Sequence, residues 1–314
     1  MVSDPGVEGP GELSASTSAA VDWGGLVYVG LGVCLLSTSP ILTRLAAPYS
    51  AFEITCGRMA VAAACVLALA GATGVPLGYR RAELPRLAGY GLITALHFFL
   101  YIWSLEFTTI AHSLALVYTA PLFVTLCAAL LLREPIDRRK YFGIPVVLLG
   151  VAVLAGLEPR LDAGMAFGDL LAVGSAICFG LYSVAGRRER DRQPLLRYAG
   201  AVYASAAIWL LPTALLTRTG GHGLGPAAAI VALGVFPLGV GHTLYNASLR
   251  RVHPTYVNLI ATQEVTGGVL LGAILLGELP SPTAVVGVVL TLAGVGIVML
   301  AGERRRPLAE VPAA

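Results

Sequence analysis

Apolar residues in this chain come in long unbroken runs rather than in alternation. Ten runs of about 17 to 23 residues are separated by short clusters of charged, glycine and proline residues, and a helix of that length crosses a hydrocarbon layer of about 30 Å. The runs predict helices over 23–42, 51–70, 87–105, 112–132, 141–156, 167–185, 198–216, 227–248, 254–276 and 282–301. The fifth is short, and the eighth is interrupted by Pro237 and several glycines. Such breaks are tolerated in a membrane where neighbours or a cavity satisfy the backbone. The expected class is therefore an all-α integral membrane protein with ten transmembrane helices.

Composition agrees. Apolar residues make up 56% of the 314 positions, charged residues 12%, and mean hydropathy is +0.78, against about 25% charged in an average soluble domain. The cysteines, Cys34, Cys56, Cys65, Cys127 and Cys178, all fall inside apolar runs without CxxC spacing. Neither a disulfide framework nor a metal site is expected, and they read as small packing residues. Residues 1–21 carry no lysine or arginine and no apolar stretch, which reads as a disordered cytoplasmic tail and not as a secretory signal peptide.

Charge orients the runs. Seventeen of the 21 cations fall on alternate loops: Arg80, Arg81 and Arg86; Arg133, Arg138, Arg139 and Lys140; Arg187, Arg188, Arg190, Arg192 and Arg197; Arg250 and Arg251; Arg304, Arg305 and Arg306. The intervening loops hold only Arg44, Arg160 and Arg218, and Arg58 lies within a helix. Since lysine and arginine accumulate on cytoplasmic loops, both termini are expected in the cytoplasm of a cell (inner) membrane. The arginines at 304–306 read as a headgroup anchor.

The chain repeats itself at an offset of 144 residues. Between Leu126 and Val151, nine of 26 positions are identical to their counterparts, where this composition gives about one in ten by chance. Glu134 matches Glu278, Gly143 matches Gly287 and Gly150 matches Gly294; Tyr101 and Ser104 match Tyr245 and Ser248. The expected division is a first five-helix repeat over 22–157, a second over 165–302, and a cytoplasmic tail over 303–314. Each repeat holds an odd number of helices, so the second lies inverted relative to the first. The basic loop REPIDRRK in the first repeat accordingly becomes the cation-free GELPSPT in the second.

With Pro121 followed by LLREP, the matching LLGELPSP, glycine-spaced helices after each, and Arg58 in the second helix, the chain resembles the drug/metabolite transporter superfamily, specifically proteins with tandem EamA domains. The resemblance covers about 23–301. It implies a secondary transporter that moves a small organic solute, commonly outward, through a cavity between the halves. One departure stands out: Pro121 and Ala120 correspond to Val265 and Glu264, so proline-based flexing of the fourth helix is not to be assumed for the ninth.

An ionisable group deep in a membrane helix is a functional candidate by default. Glu264 lies about 15 Å into its helix, close to Asn258 and Gln263, where it is placed to bind an ammonium group or carry a coupling proton; the structural alternative is an internal ion pair. Arg58 lies about 12 Å into the second helix, placed to hold a substrate carboxylate, with pairing to Glu53 or Glu264 as the alternative. His97, Tyr101 and Ser104 form a stripe at helical spacing that recurs as Gly241, Tyr245 and Ser248, with His242 and Asn246 adjacent, and Trp103 and Tyr118 add aromatic surface. Interhelical bonding is the competing use for such a stripe. Glu134 and Glu278 read as caps or partners of loop cations, the repeated glycines as contact points between helices, and His112, His222 and His253 as residues without a special role.

Function classes separate on absences in sequence. HExxH, GxSxG and a P-loop are missing, and Lys140 sits in a basic loop, so neither an intramembrane enzyme nor direct ATP drive is expected and no cofactor or metal is implied. A membrane scaffold or receptor has no use for an inverted duplication, whereas alternating access does. The expectation is a secondary transporter, with export of an amino acid or related metabolite leading and a drug or nucleoside carrier second. Its partners are a small-molecule substrate and the bilayer, with no nucleic acid; a homodimer is compatible with the sequence.

Overall fold

The structure, a computed structural model, describes residues 22–132, 140–158, 161–189, 192–220, 223–248, 251–252, 257 and 260–303. Glu134, Asn258, His222, His253 and the arginines at 304–306 lie outside the described residues. The regular structure among the described residues is helical, without strands. In chain order the helices are α1 (Trp23–Leu36), α2 (Ser39–Leu45), α3 (Ala51–Ala72), α4 (Leu84–Ser104), α5 (Ile110–Val117), α6 (Ala120–Leu132), α7 (Lys140–Leu157), α8 (Ala163–Glu189), α9 (Leu195–Leu216), α10 (Leu224–Leu233), a π-helical segment (Gly234–Gly241), α11 (His242–Ser248), α12 (Gln263–Leu276) and α13 (Pro282–Glu303). Eight stretches among the described residues are long and apolar enough to cross a membrane, and two shorter apolar helices, Phe142–Leu154 and Gln263–Leu276, accompany them. The protein is a multi-pass membrane protein.

Helix ends are closed from within the sequence. Asp22 accepts the Gly25 amide at 3.0 Å, Ser50 and Glu53 form a reciprocal capping box, Thr109 accepts from His112 at 3.2 Å, and Asp162 accepts from Met165 at 2.7 Å. Gly277 ends α12 in the left-handed region at φ 68°, a conformation that favours glycine.

Three spans are broken mid-course. Pro40 lacks an N–H, and just before it the Ser37 and Thr38 hydroxyls bond the carbonyls of Val33 (2.9 Å) and Leu35 (2.6 Å), so the α1–α2 break leaves these oxygens satisfied. Pro121 follows the α5–α6 break, where Thr119 bonds Leu116 at 2.6 Å. Pro237 lies inside the π segment, a geometry that relieves a lost ladder bond by widening the turn. A fourth break interrupts the ninth run, where the flexing is not proline-based. The backbone turns at Thr262 directly before α12, the repeat counterpart of Tyr118, although no proline follows.

Packing is set by small residues. A Cβ on Gly294 would lie 2.5 Å from the Val147 backbone nitrogen, and one on Gly143 would lie 2.7 Å from the Gly294 carbonyl. Gly150 and Gly287 face each other one step along the same seam, so α7 and α13 meet backbone to backbone. Elsewhere α3 packs on α9, α5 on α12, α4 on both α8 and α9, α6 on α8, and α1 on α11 and the π segment.

Loops gather at two ends. At one, Arg44 bonds the carbonyls of Leu105 and Thr108 and pairs with Glu278 at 3.1 Å, while Glu278 also accepts the Ile110 amide at 2.5 Å. Glu278 is thus a cap and an ion-pair partner, as expected. Glu53 accepts the Thr219 hydroxyl at the same end, at 2.7 Å. At the other end Arg197 pairs with Glu83 at 2.8 Å, and the buried Glu189 carboxylate receives Gln193 at 2.9 Å, Tyr90 at 3.3 Å and Arg192 at 3.3 Å.

Candidate functional site

The helix breaks converge on one cavity. Ser39 reaches it from the α1–α2 break, Val117 and Tyr118 from the α5–α6 break, His242 from the end of the π segment, and Glu264 from the start of α12. Arg58 on α3, His97, Phe98 and Tyr101 on α4, Leu114 on α5 and Phe179 on α8 complete the wall with Leu36. Broken helices supply polar backbone and side chains at a depth where an intact helix presents neither.

Arg58 is 1% exposed. Its guanidinium carbon lies 4.6 Å from the centroid of the Phe98 ring, Nη1 donates to Ser39 Oγ at 3.4 Å, and buried Nε has no hydrogen-bond partner. Neither carboxylate named from the sequence pairs with it. Glu53 closes its own helix and binds Thr219, and Glu264 instead accepts the Tyr118 hydroxyl at 2.5 Å. A buried cation with a donor unused and no carboxylate partner is costly unless something completes it.

The Tyr118–Glu264 bond also ties two repeat-related breaks, Tyr118 ending one interruption and Glu264 starting the helix after the other. His97 is fixed by its neighbours. Nδ1 lies 3.0 Å from the Ser175 carbonyl and 2.9 Å from the Ser175 hydroxyl, which also reaches the His97 carbonyl at 2.9 Å. The imidazole stacks on Phe179 with centroids 4.9 Å apart, and the Phe98 ring meets His242 edge-on at 5.8 Å.

Six of the ten sequence candidates line the cavity: Arg58, His97, Tyr101, Tyr118, His242 and Glu264. Four do not. Trp103 lies two residues beyond Tyr101, about 200° around the helix, and stacks on Phe99 at 5.2 Å and against Phe167 at 5.4 Å. Tyr245 packs with Val29, Val33, Val257 and Ala261. Asn246 donates to its own helix at the His242 carbonyl, 2.8 Å away. Gln263 is exposed and accepts from Thr266 at 3.4 Å. The serines of the stripe bond between segments instead, Ser104 with Ser113 at 2.6 Å and Ser248 with the Gly25 carbonyl at 2.7 Å.

Sequence reasoning passed over Ser39, Phe98 and Phe179. Phe98 stands 144 residues before His242, so the repeat register carried its signal; Phe179 lies in an apolar run with nothing to mark it. His112, read as unremarkable, is fully buried between two acidic side chains.

Comparison with known proteins agrees with this architecture. The EamA-like transporter family matches residues 23–156 and 166–300. A protein of Streptantibioticus cattleyicolor named "Probable terminal-alkyne amino-acid exporter" is 30% identical over 84% of this chain and 89% of its own length. The aromatic amino acid exporter YddG of Ancylobacter novellus is 26% identical over 87% of this chain and 96% of its own length. One solved crystal structure superposes with a TM-score of 0.64 at 24% identity, covering 89% of this chain and 98% of that one, which speaks to fold alone. With both halves matched in tandem, the chain belongs to the EamA-like transporter family.

Proposed function

We propose that this protein exports an amino acid or a close relative by alternating access across the cell (inner) membrane. The observation that carries the reading is the pairing, on one ring-lined cavity, of a buried guanidinium with an unused donor and a carboxylate that, among the described residues, is held by a tyrosine hydroxyl. A zwitterion complements both. Arg58 takes the substrate carboxylate, Glu264 the ammonium group, and Phe98, Phe179 and His97 the apolar body. The relatives named as amino-acid exporters support this choice of substrate class.

In this reading the chain crosses the membrane ten times as two inverted five-helix repeats, over 22–157 and 165–302, with both termini cytoplasmic. Exchanging the halves maps the observed packing onto itself: α1 with α11 onto α8 with α4, α3 with the π segment onto α9 with α4, and α7 with α13 onto itself. Alternate loops share an end, which supports the same topology. The end carrying Arg44 and Glu278 is then external, and the basic end cytoplasmic.

Substrate arrival acts on the hinges directly. The incoming ammonium competes with the Tyr118 hydroxyl for Glu264, loosening the tie between the two broken spans and freeing the halves to rock. In the proton-coupled form of this mechanism, a proton takes the place of the ammonium on Glu264 during the return. The test is a solute screen in reconstituted vesicles with wild type and Glu264→Gln under an imposed pH gradient. Uptake of amino acids by wild type, driven by the gradient and lost in Glu264→Gln, is expected. If no amino acid moves, the carrier reading falls; if both proteins move it and ignore the gradient, only the coupling role falls.

A further inference from the structure

Two hydrogen-bond donors in the cavity wall stand without acceptors. Besides Arg58 Nε, the Tyr101 hydroxyl is buried and, among the described residues, makes no hydrogen bond. Tyr101 is 5% exposed, and it lines the cavity together with Arg58 and the buried Ser39. Ser39 Oγ serves neither donor well. Arg58 Nη1 reaches it only at 3.4 Å, beyond the usual range of about 2.7–3.2 Å. The Tyr101 hydroxyl faces the same serine without closing a bond to it.

Packing does not call for that hydroxyl. A phenylalanine would fill the same space without burying an unsatisfied polar group, which is costly. Repeat symmetry does not call for it either. Its counterpart Tyr245 packs against Val29 and Val33, away from the cavity lining, and Arg58 corresponds to Val202, a fully buried core residue. The unused donors therefore gather on α3 and α4 of the first half. The carboxylate of the cavity, Glu264, stands on α12 of the second, where the first half has Ala120.

We propose that Tyr101 is a specificity-determining residue, whose hydroxyl takes one oxygen of the substrate carboxylate while the Arg58 guanidinium takes the other. An oxyanion accepts from an N–H and an O–H at once, and each such bond is strengthened by its charge. The wall holds a single arginine, which matches the one negative charge of a carboxylate and leaves a phosphate dianion short of a partner. The hydroxyl adds to the guanidinium and does not replace it, since a neutral donor alone does not offset the burial of a carboxylate. Bound in this way the substrate has one orientation, its acid end on α3 and α4 and its ammonium end on α12, so that it bridges the two halves. The assignment rests on the zwitterion reading of the cavity.

The test is counterflow by the full-length chain in reconstituted vesicles. The labelled substrate is whichever standard amino acid wild type carries, and the competitor is its decarboxylated amine, which keeps the side chain and the ammonium group. Tyr101→Phe is expected to raise the half-saturation concentration of the acid about tenfold and to leave the inhibition constant of the amine within about twofold of wild type. Tyr198→Phe is the matched control, because it also removes a buried hydroxyl that makes no hydrogen bond, but one outside the cavity lining; neither constant is expected to change. The unfolding midpoint of substrate-free Tyr101→Phe is expected at or above that of wild type, since no internal bond is lost. A lower midpoint, an unchanged half-saturation concentration, or an equal loss for acid and amine overturns the assignment. Where wild type prefers the acid and Tyr101→Phe keeps the whole preference, the role of Tyr101 falls alone. If wild type carries no amino acid, or takes acid and amine equally well, the zwitterion reading falls and the assignment with it.

Discussion

Replacing Gly294 by alanine adds one methyl group at the place where α7 and α13 come closest. That methyl would sit 2.5 Å from the Val147 nitrogen and 3.0 Å from the Gly143 carbonyl, both backbone atoms unable to rotate away. The helices must separate, and overpacking of this kind costs about 1–3 kcal/mol. Alanine's better helix propensity returns up to about 1 kcal/mol. Gly30, inside α1, is the matched control, since a Cβ there meets nothing within 4 Å and only the propensity gain remains. Thermal unfolding of the detergent-purified proteins, followed by tryptophan fluorescence, is expected to place Gly294→Ala several degrees below wild type and Gly30→Ala at or slightly above it. Equal midpoints for the two variants would refute the claim that this seam is built on backbone contact.

The remaining outcomes concern the site and its surroundings. Tyr118→Phe removes a hydroxyl–carboxylate bond worth about 1.5–3 kcal/mol; substrate binding is expected to tighten, because the ammonium no longer competes for Glu264, and isothermal titration reads the change. Gln263→Ala, one residue from Glu264 but exposed, is expected to transport within about twofold of wild type, a change under ~0.4 kcal/mol, while Glu264→Ala loses transport. Glu278→Ala leaves the Ile110 amide without its acceptor and Arg44 with its two carbonyls but no carboxylate, so its unfolding midpoint falls further than that of Glu278→Gln, which keeps an acceptor. A cysteine at Leu279 reacts with impermeant reagent in intact right-side-out vesicles, and one at exposed Ala82 does so only after permeabilisation; the reverse pattern inverts the topology.

Membrane helices were legible in sequence because a bilayer demands about 20 apolar residues in a row, and that demand leaves a pattern no side-chain contact can hide. The helix after 110 begins two residues earlier than expected because Thr109, not a charge cluster, caps it. The break at Thr262 had no proline to announce it and was visible only as the repeat partner of Tyr118. Within the site, charge buried in an apolar run marked Arg58 and Glu264, since such placement is costly wherever it occurs. Rings gave a weaker signal. Trp103 and Tyr101 are indistinguishable by type, and only their 200° separation on α4, of the order set by helix geometry, sends one to the aromatic cluster with Phe167 and the other to the cavity. The surroundings of His112 were not legible, because its carboxylates arrive from positions 158 and 169, beyond α6 and α7.

The central claim is that one cavity reads both ends of a zwitterion, Arg58 the carboxylate and Glu264 the ammonium. It is tested most directly by counterflow in reconstituted vesicles, with an aromatic or aliphatic amino acid competing against its methyl ester and its N-acetyl derivative. The account predicts that the free amino acid competes and that each derivative, lacking one charge, loses at least about tenfold in potency, equivalent to about 1.4 kcal/mol. It further predicts that Arg58→Leu erases the discrimination against the ester and Glu264→Gln that against the N-acetyl form. Equal competition by all three compounds in the wild-type protein would contradict it.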